Sequence, residues 1–361
     1  MKETLLIIQP NLAKYRIPVW GGLCEFYNTH ILCSKVSSSD GFGDLNYEER
    51  QKFSSVNFTK TIFLGNRFFF QTKILKTIRF IKPDKILVCG ATNDFGFWLL
   101  LIYSKIRGEK LFVHTQGPFN KNSNSIFYRF IYKIIVNFSY KVILYTKFSY
   151  EKLQSFNVFS DKICYINNTL ELPSLEINFE KKQYNPGSLK LLFIGRIRSG
   201  SGLFSLLNFI QNNNFLEINI IGEGVHYEEF KKKFSSDNVK WHGAIFSSSQ
   251  IQKISNQCHF GVYPGNAGLS VVHYLSLNLP VIVHDKIELQ QGPETSYIKD
   301  GFNGFTFKNS NDKKELFSLL KIIYNNLSEG SYNQICLNAN KSFNDLSNPS
   351  YSEKIYNVLN G

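Results

Sequence analysis

Residues 261–285 run strand, glycine loop, helix, proline, strand, and a segment in that order confines the chain to an α/β fold. Gly261-Val262-Tyr263 is a short apolar strand closed by Pro264. The loop Gly265-Asn266-Ala267-Gly268 follows, then an apolar helix from Leu269 to Leu277; Pro280 stops it and Val281-Ile282-Val283 begins the next strand. Two strands joined through a crossover helix lie side by side and parallel. A glycine loop feeding a helix also gathers free backbone N–H groups at the positive end of the helix dipole, an anion site suited to a diphosphate. The same loop serves as an ordinary turn in any parallel sheet, so its meaning depends on the rest of the chain.

The rest of the chain repeats the pattern. In the first half, strands are predicted at Thr4–Ile8, His30–Cys33, Lys85–Cys89, Leu111–His114, Lys141–Tyr145 and Ile163–Ile166. Helical stretches separate them near Tyr15–Tyr27, Thr72–Phe80, Phe95–Arg107, Ile126–Phe138 and Ser149–Ser155. In the second half, strands are predicted at Lys190–Ile194, Glu217–Ile221, Val239–Trp241, Phe260–Tyr263, Val281–Val283 and Gly304–Phe307. Helices are predicted at Asp312–Asn326, Tyr332–Phe343 and Ser352–Val358. Single cores stop growing at about 250–300 residues, so 361 residues divide into two such sheets. The boundaries are an amino-terminal domain over 1–172, a linker over 173–186, a second domain over 187–345, and a last helix within 346–361 that returns to the first domain. In open sheets of this kind ligands bind at the carboxyl ends of the strands.

The net charge is +13, and it is uneven: residues 1–180 hold 23 Lys/Arg against 14 Asp/Glu, residues 181–361 hold 18 against 14. A basic first half suits an anionic partner. Two of its stretches interleave cations with aromatics, Arg67 to Phe80 and Tyr128 to Lys133. Such stretches lie on an anionic bilayer or form the sheet-packing face of a helix. No nucleic-acid module with base-stacking aromatics is present, which disfavours nucleic acid as the partner. The six cysteines are scattered without a C-x-x-C pair, and no His/Cys/Asp spacing marks a metal site. Lys2 to Pro10 reads as a first strand rather than a signal peptide, and the apolar run Phe95–Tyr103 is shorter than a membrane span. The expected location is cytoplasmic, with peripheral attachment to the inner face of the cell membrane as the alternative to a free protein.

Several loops of the second half follow strands and are expected to face one ligand: Phe193-Ile194-Gly195-Arg196, Ile221-Gly222-Glu223-Gly224, Trp241-His242-Gly243 and Gly265 to Gly268. Glu294 and Asp300-Gly301-Phe302-Asn303-Gly304 complete the set. Their order and spacing resemble the donor-binding domain of family-4-type glycosyltransferases of the GT-B fold. Lys82-Pro83-Asp84, Leu111 to Gly117 and Ile166-Asn167-Asn168-Thr169 resemble the acceptor domain of that family more loosely. The resemblance implies two Rossmann-like, doubly wound domains facing across a cleft. It also implies transfer of a sugar from a nucleotide-sugar to an acceptor, with retention and without metal or cofactor. The acceptor it suggests is a lipid-linked surface glycan.

The chain departs from the family where the E-x7-E motif should stand: Gly265 and His273 occupy the two glutamate places. Arg196 is kept, but the lysine expected five residues later is Ser201. The donor-binding residues carried over are Gly195, Arg196, Gly222, Gly265, Asn266, Ala267, Gly268, Leu269, His273 and Glu294. On the acceptor or phosphate side they are Arg16 and the turn glycines Gly21 and Gly22. His114, at a strand's carboxyl end, is the candidate catalytic group, its alternative being a hydrogen-bonded core histidine. Two rival functions stay open: a degenerate, non-catalytic partner protein, and a nucleotide-sugar 2-epimerase of the same fold.

Overall fold

Strands that are buried on both faces need helices on both faces, and each half of the chain meets that need in the same way. A computed structural model describes residues 2–34, 47–122, 124–172, 187–308 and 313–361. The chain forms two compact units, Met1–Glu171 with Pro349–Gly361, and Leu172–Asn348. The linker expected at 173–186 lies outside the described residues.

The first unit runs β1 (Thr4–Asn11), α1 (Ile17–Gly22), β2 (Asn28–Ser34), α2 (Tyr47–Gln51), β3 (Ser55–Thr59), β4 (Thr61–Leu64) and β5 (Phe68–Gln71). It continues with α3 (Ile74–Ile81), β6 (Lys85–Cys89), α4 (Phe95–Arg107), β7 (Leu111–Thr115), α5 (Ile126–Phe138), β8 (Lys141–Leu144), α6 (Lys147–Ser155) and β9 (Ile163–Tyr165). The sheet order is β3-β2-β1-β6-β7-β8-β9, with all pairings parallel. Alternation along β1 divides its side chains between two cores. Leu6 and Ile8 pack with Ile74, Phe97, Leu100 and Ile135 of α3, α4 and α5. Leu5 and Ile7 pack on the opposite face with Ile17 and Trp20. The strands β4 and β5 form a separate antiparallel hairpin.

The second unit runs β10 (Leu189–Ile194), α7 (Leu203–Gln211), β11 (Leu216–Ile221), α8 (Tyr227–Lys233), β12 (Val239–Trp241), α9 (Ser248–Ser255) and β13 (Phe260–Tyr263). Then come α10 (Ser270–Ser276), β14 (Val281–His284), β15 (Gly304–Phe307), α11 (Lys314–Asn326) and α12 (Glu329–Ser347). Its sheet order, β12-β11-β10-β13-β14-β15, reverses direction between β10 and β13. That reversal is the switch point at which the loops after two neighbouring strands part and leave a crevice. The final helix, α13 (Tyr351–Asn360), starts at a Ser350/Glu353 capping box and belongs to the first unit. It buries Tyr351, Ile355 and Leu359 in the core that holds Leu5 and Ile7.

Three local differences from the sequence reading have physical causes. The helix expected at Tyr15–Tyr27 is broken into 3-10 turns at Lys14–Arg16 and Leu23–Glu25 around α1. The strand β3 escaped notice because most of its residues are only half-buried and do not alternate cleanly. The aromatic run before α3 is a strand, and the helix begins only after Lys73, whose left-handed backbone (φ 62°) ends the extended segment.

Candidate functional site

In the second unit the loops after β10 and β13 close on each other at the switch point. Gly265 N–H donates to the Ser201 carbonyl at 2.9 Å and Asn266 N–H to the Gly200 carbonyl at 3.0 Å. The two loops approach so closely that a Cβ on Gly202 would stand 2.6 Å from the Gly265 nitrogen. On the other side Ala267 N–H donates to Gln290 Oε1 at 2.6 Å, and the Ala267 carbonyl accepts from Gln291 N–H at 2.7 Å. Three of the N–H groups expected to cradle a diphosphate, those of Gly265, Asn266 and Ala267, are therefore engaged within the protein. The N–H groups of Gly268, Leu269 and Ser270, at the start of α10, have no protein acceptor among the described residues. The N–H groups left for a ligand thus begin only at Gly268, the last residue of the glycine loop.

Around that end the structure gathers part of the expected set. Gly195 carries no Cβ because one would meet the Tyr263 ring at 2.8 Å, and Tyr263 stacks on Phe193. Gly222, at φ 140°, lets the β11 loop lie against the Gly195 carbonyl. Arg196 follows directly and is half-buried. Glu294 is buried, its carboxylate packed over Gly292, whose missing Cβ would lie 3.5 Å from the Gly268 Cα. On α10, Tyr274 is fully buried and its hydroxyl accepts from Ile194 N–H at 2.7 Å and donates to the Val262 carbonyl at 3.2 Å. One side chain thereby fixes the helix to both switch-point strands.

His273, on the same helix, has no protein partner for its ring among the described residues. Burial pushes its pKa down to about 4, so the ring is neutral at pH 7. The place of the expected lysine is structural: Ser201 is buried, and its hydroxyl accepts from Leu203 N–H at 3.3 Å and donates to the Arg198 carbonyl at 2.7 Å. The Asp300 to Gly304 segment stands apart from the other loops, because it precedes β15 and so lies at the amino end of that parallel strand. Asn303 there accepts from Lys299 N–H at 2.8 Å and donates to the Tyr297 carbonyl at 3.0 Å, holding a turn rather than a ligand.

Two further contributors to the loop did not stand out in the sequence. Arg198 Nη2 donates to Gln291 Oε1 at 2.9 Å and to the Asn266 carbonyl at 3.4 Å, which puts a second guanidinium beside the glycine loop. Gln290 donates to His284 Nδ1 at 3.1 Å and to its carbonyl at 3.0 Å while accepting from Ala267. Because Nδ1 accepts, the proton of His284 sits on Nε2, which has no partner among the described residues; burial pushes its pKa down to about 4. The only sequence sign of Arg198 is its place two residues beyond Arg196 in a glycine-serine turn.

In the first unit the named residues divide differently. His114, at the end of β7, is buried at 2 % exposure, with Nε2 2.7 Å from the Tyr351 hydroxyl and its ring 4.5 Å from that of Tyr145. Burial first, and then the Arg16 charge, push its pKa down to about 3. Arg16 follows β1, donates to Asn168 Oδ1 at 2.8 Å and lies over the Tyr351 ring at 5.8 Å. Gly21 and Gly22 are helical residues of α1 rather than turn glycines. Gly22 is small because α13 packs there, a Cβ on it standing 2.8 Å from Ser352 Cβ. No group of three or more His, Cys, Asp or Glu among the described residues is arranged to hold a metal ion.

Two doubly wound parallel sheets in one chain, the second with a glycine loop and helix start at its switch point, make up the GT-B architecture. Solved structures of that fold align with nearly the whole chain. Anabaena HepE in complex with UDP and glucose is 13% identical over 99% of this chain and 100% of its own, with a TM-score of 0.67. The lipopolysaccharide outer core galactosyltransferase WaaB is 12% identical over 99% of each chain, with a TM-score of 0.64. Staphylococcus aureus TarM, in a complex that includes UDP, is 13% identical over 100% of each chain, with a TM-score of 0.66. No curated protein is detectably similar to the chain by sequence. Residues 175–337 match the family model described as glycosyl transferases group 1. The chain thus has the GT-B fold, and its likeness to group 1 glycosyltransferases lies in the second unit.

Proposed function

We propose that the protein moves a sugar from a nucleoside-diphosphate sugar to a lipid-linked glycan during surface-polysaccharide synthesis, with retention at the anomeric carbon and without a metal. The observation that carries the reading is the start of α10. Its Gly268, Leu269 and Ser270 N–H groups have no acceptor among the described residues and lie at the switch point, where the loop after β10 carries Arg196 and sets Arg198 on the Asn266 carbonyl. Fixed donors and cations of this kind stabilise the charge that develops on a departing diphosphate. His273 takes the place of the ribose-binding glutamate as a neutral hydrogen-bond partner, and Glu294 faces the loop from the Gly292 side. The UDP in the HepE and TarM complexes makes UDP-sugars the first donors to try. The outer-core substrate named for WaaB supports a surface-glycan acceptor. On the acceptor side His114 acts as a positioning residue, its hydrogen bond orienting Tyr351. The enzyme meets its acceptor at the cytoplasmic face of the membrane.

The test is UDP release from a panel of UDP-sugars, with and without membrane extract and with chelator present throughout. Release that needs extract supports transfer. Mass-neutral conversion of the donor would replace this reading with 2-epimerisation. UDP binding with no turnover on any donor would leave a non-catalytic partner protein.

A further inference from the structure

In the first unit the helices α3, α4 and α5 line one side of the sheet, and the β4–β5 hairpin is seated on the start of α4. Phe69 N–H donates to the Asn93 carbonyl at 3.1 Å. Asn93 Nδ2 donates to the Arg67 carbonyl at 3.0 Å, and Asp94 accepts from both Gln71 N–H and Gly96 N–H at 3.2 and 2.8 Å. Hairpin and helix are therefore joined by backbone and side-chain hydrogen bonds.

The outward side of this layer is apolar where a helix on a sheet is ordinarily polar. Inward, α4 buries Phe97, Leu100, Leu101 and Ser104. Its outward positions, Phe95, Leu99, Ile102 and Ile106, recur at helical spacing in one stripe, and all are exposed, Ile106 by 77%. The hairpin continues the stripe with exposed Ile62, Phe63, Leu64 and Phe68, the Phe68 ring 5.7 Å from that of Phe95. Phe80 of α3 and Ile126, Phe127 and Phe130 of α5 extend it on either side. Of the 24 large apolar side chains exposed among the described residues, 12 fall between Ile62 and Phe130. A soluble protein does not gather that much uncovered apolar surface in one layer without a use for it.

The charge on this layer identifies the occupant. Residues 60–83 hold Lys60, Arg67, Lys73, Lys76, Arg79 and Lys82 with no carboxylate, and α5 holds Arg129 and Lys133 with none. Lys105 and Arg107 close α4 on its exposed side. A second copy of the chain would bring like charges face to face, whereas anionic headgroups would neutralise them over an apolar interior. We propose that the β4–β5 hairpin and the outward faces of α3, α4 and α5 form a docking surface for an anionic lipid bilayer. The aromatic tip and the α4 stripe enter the headgroup–acyl boundary while the flanking cations hold lipid phosphates. The inference rests on the lipid-linked-acceptor reading above and specifies how the protein reaches such an acceptor.

The full-length protein is co-sedimented, without substrates, with phosphatidylcholine vesicles and with mixed phosphatidylcholine–phosphatidylglycerol vesicles. Two exposed-surface variants are compared with the parent. One replaces Lys76, Arg79 and Lys105 by Gln; the other replaces Phe63, Leu99 and Ile102 by Ser. The expected result is enrichment on the anionic vesicles that weakens with salt and falls about a hundredfold in the cation variant, about fivefold per charge removed. The apolar variant is expected to lose at least about tenfold, with its remaining binding released at lower salt. Equal binding to both vesicle types, binding unchanged in both variants, or a stable dimer dissolved by the apolar substitutions would each overturn the proposal. UDP release in extract is assayed in parallel, so that turnover without docking and docking without turnover separate this inference from the reading beneath it.

Discussion

A methyl group on Gly268 would come no closer than 3.6 Å to Gln291 and Gly292, and its φ lies outside the left-handed region. Gly268→Ala should therefore fold with a Tm close to that of the parent yet bind UDP at least about tenfold more weakly, because the added carbon stands beside the unclaimed N–H groups. Calorimetric titration with UDP alongside a thermal melt checks both halves. His273→Ala should likewise spare stability, its ring having no hydrogen bond to lose among the described residues, and weaken donor binding about tenfold. His114 offers a prediction in pH. Its folded pKa, near 3, lies below the free value of 6.5, so between those limits the unfolded chain binds the extra proton. Stability is then fully present above about 6.5 and declines as pH falls toward 3, this one ring accounting for about 2 kcal/mol between pH 7 and pH 5. Urea midpoints at the two pH values should converge in His114→Gln relative to the parent. The sequence located these residues but misread some of their duties. Gly265 had to be glycine for the loop beside it rather than for a ligand, and Arg198 was invisible until the β10 loop folded it onto Asn266.

Among the elements, those buried on both faces were the ones that could be read in advance. The inner strands β1, β6, β7, β10, β13 and β14 are continuous apolar runs, and such runs have few alternatives. The hairpin β4–β5 was lost inside a basic aromatic stretch because Phe68-Phe69-Phe70 suits either a strand or the lead into a helix. The register of a glycine loop against its neighbours is also beyond a one-dimensional pattern, since it depends on Gln290 arriving from beyond the next strand. That contact carries the prediction at this scale. Gln290→Ala leaves a buried Ala267 N–H without an acceptor and His284 Nδ1 without its side-chain donor. It should cost about 1–3 kcal/mol of stability and raise the apparent Kd for UDP. Gln290→Glu keeps the acceptor but not the donor, and should recover part of the loss. Equal melts and equal UDP affinities across the three proteins would show that the loop holds its shape without the clamp.

At the scale of the whole molecule, α13 is joined to the second unit in sequence and to the first in its packing. Truncation after Asn348 should therefore strip Tyr351, Ile355 and Leu359 from the first core and expose the His114 ring to loss of its Tyr351 bond. The truncated protein is expected to lower the melting of the first unit while the second still binds UDP. The two-unit plan itself was legible from the alternation of strands and helices. The division of charge was legible too, though its placement on one layer of helices was not, because linear sequence does not say which side of a helix meets the sheet.

The detour of the chain also sets an order of events in time. The segment that finishes the first core is encoded only after residues 172–348. At about 5–20 residues per second, a ribosome needs roughly nine to thirty-five seconds to cross that stretch. Throughout that interval the nascent first unit stands without the helix that should cover Trp20, Leu5 and Ile7, its greasy outer layer already made. The later-synthesised unit is thus the first that can be completed. The earlier one waits with part of its core uncovered.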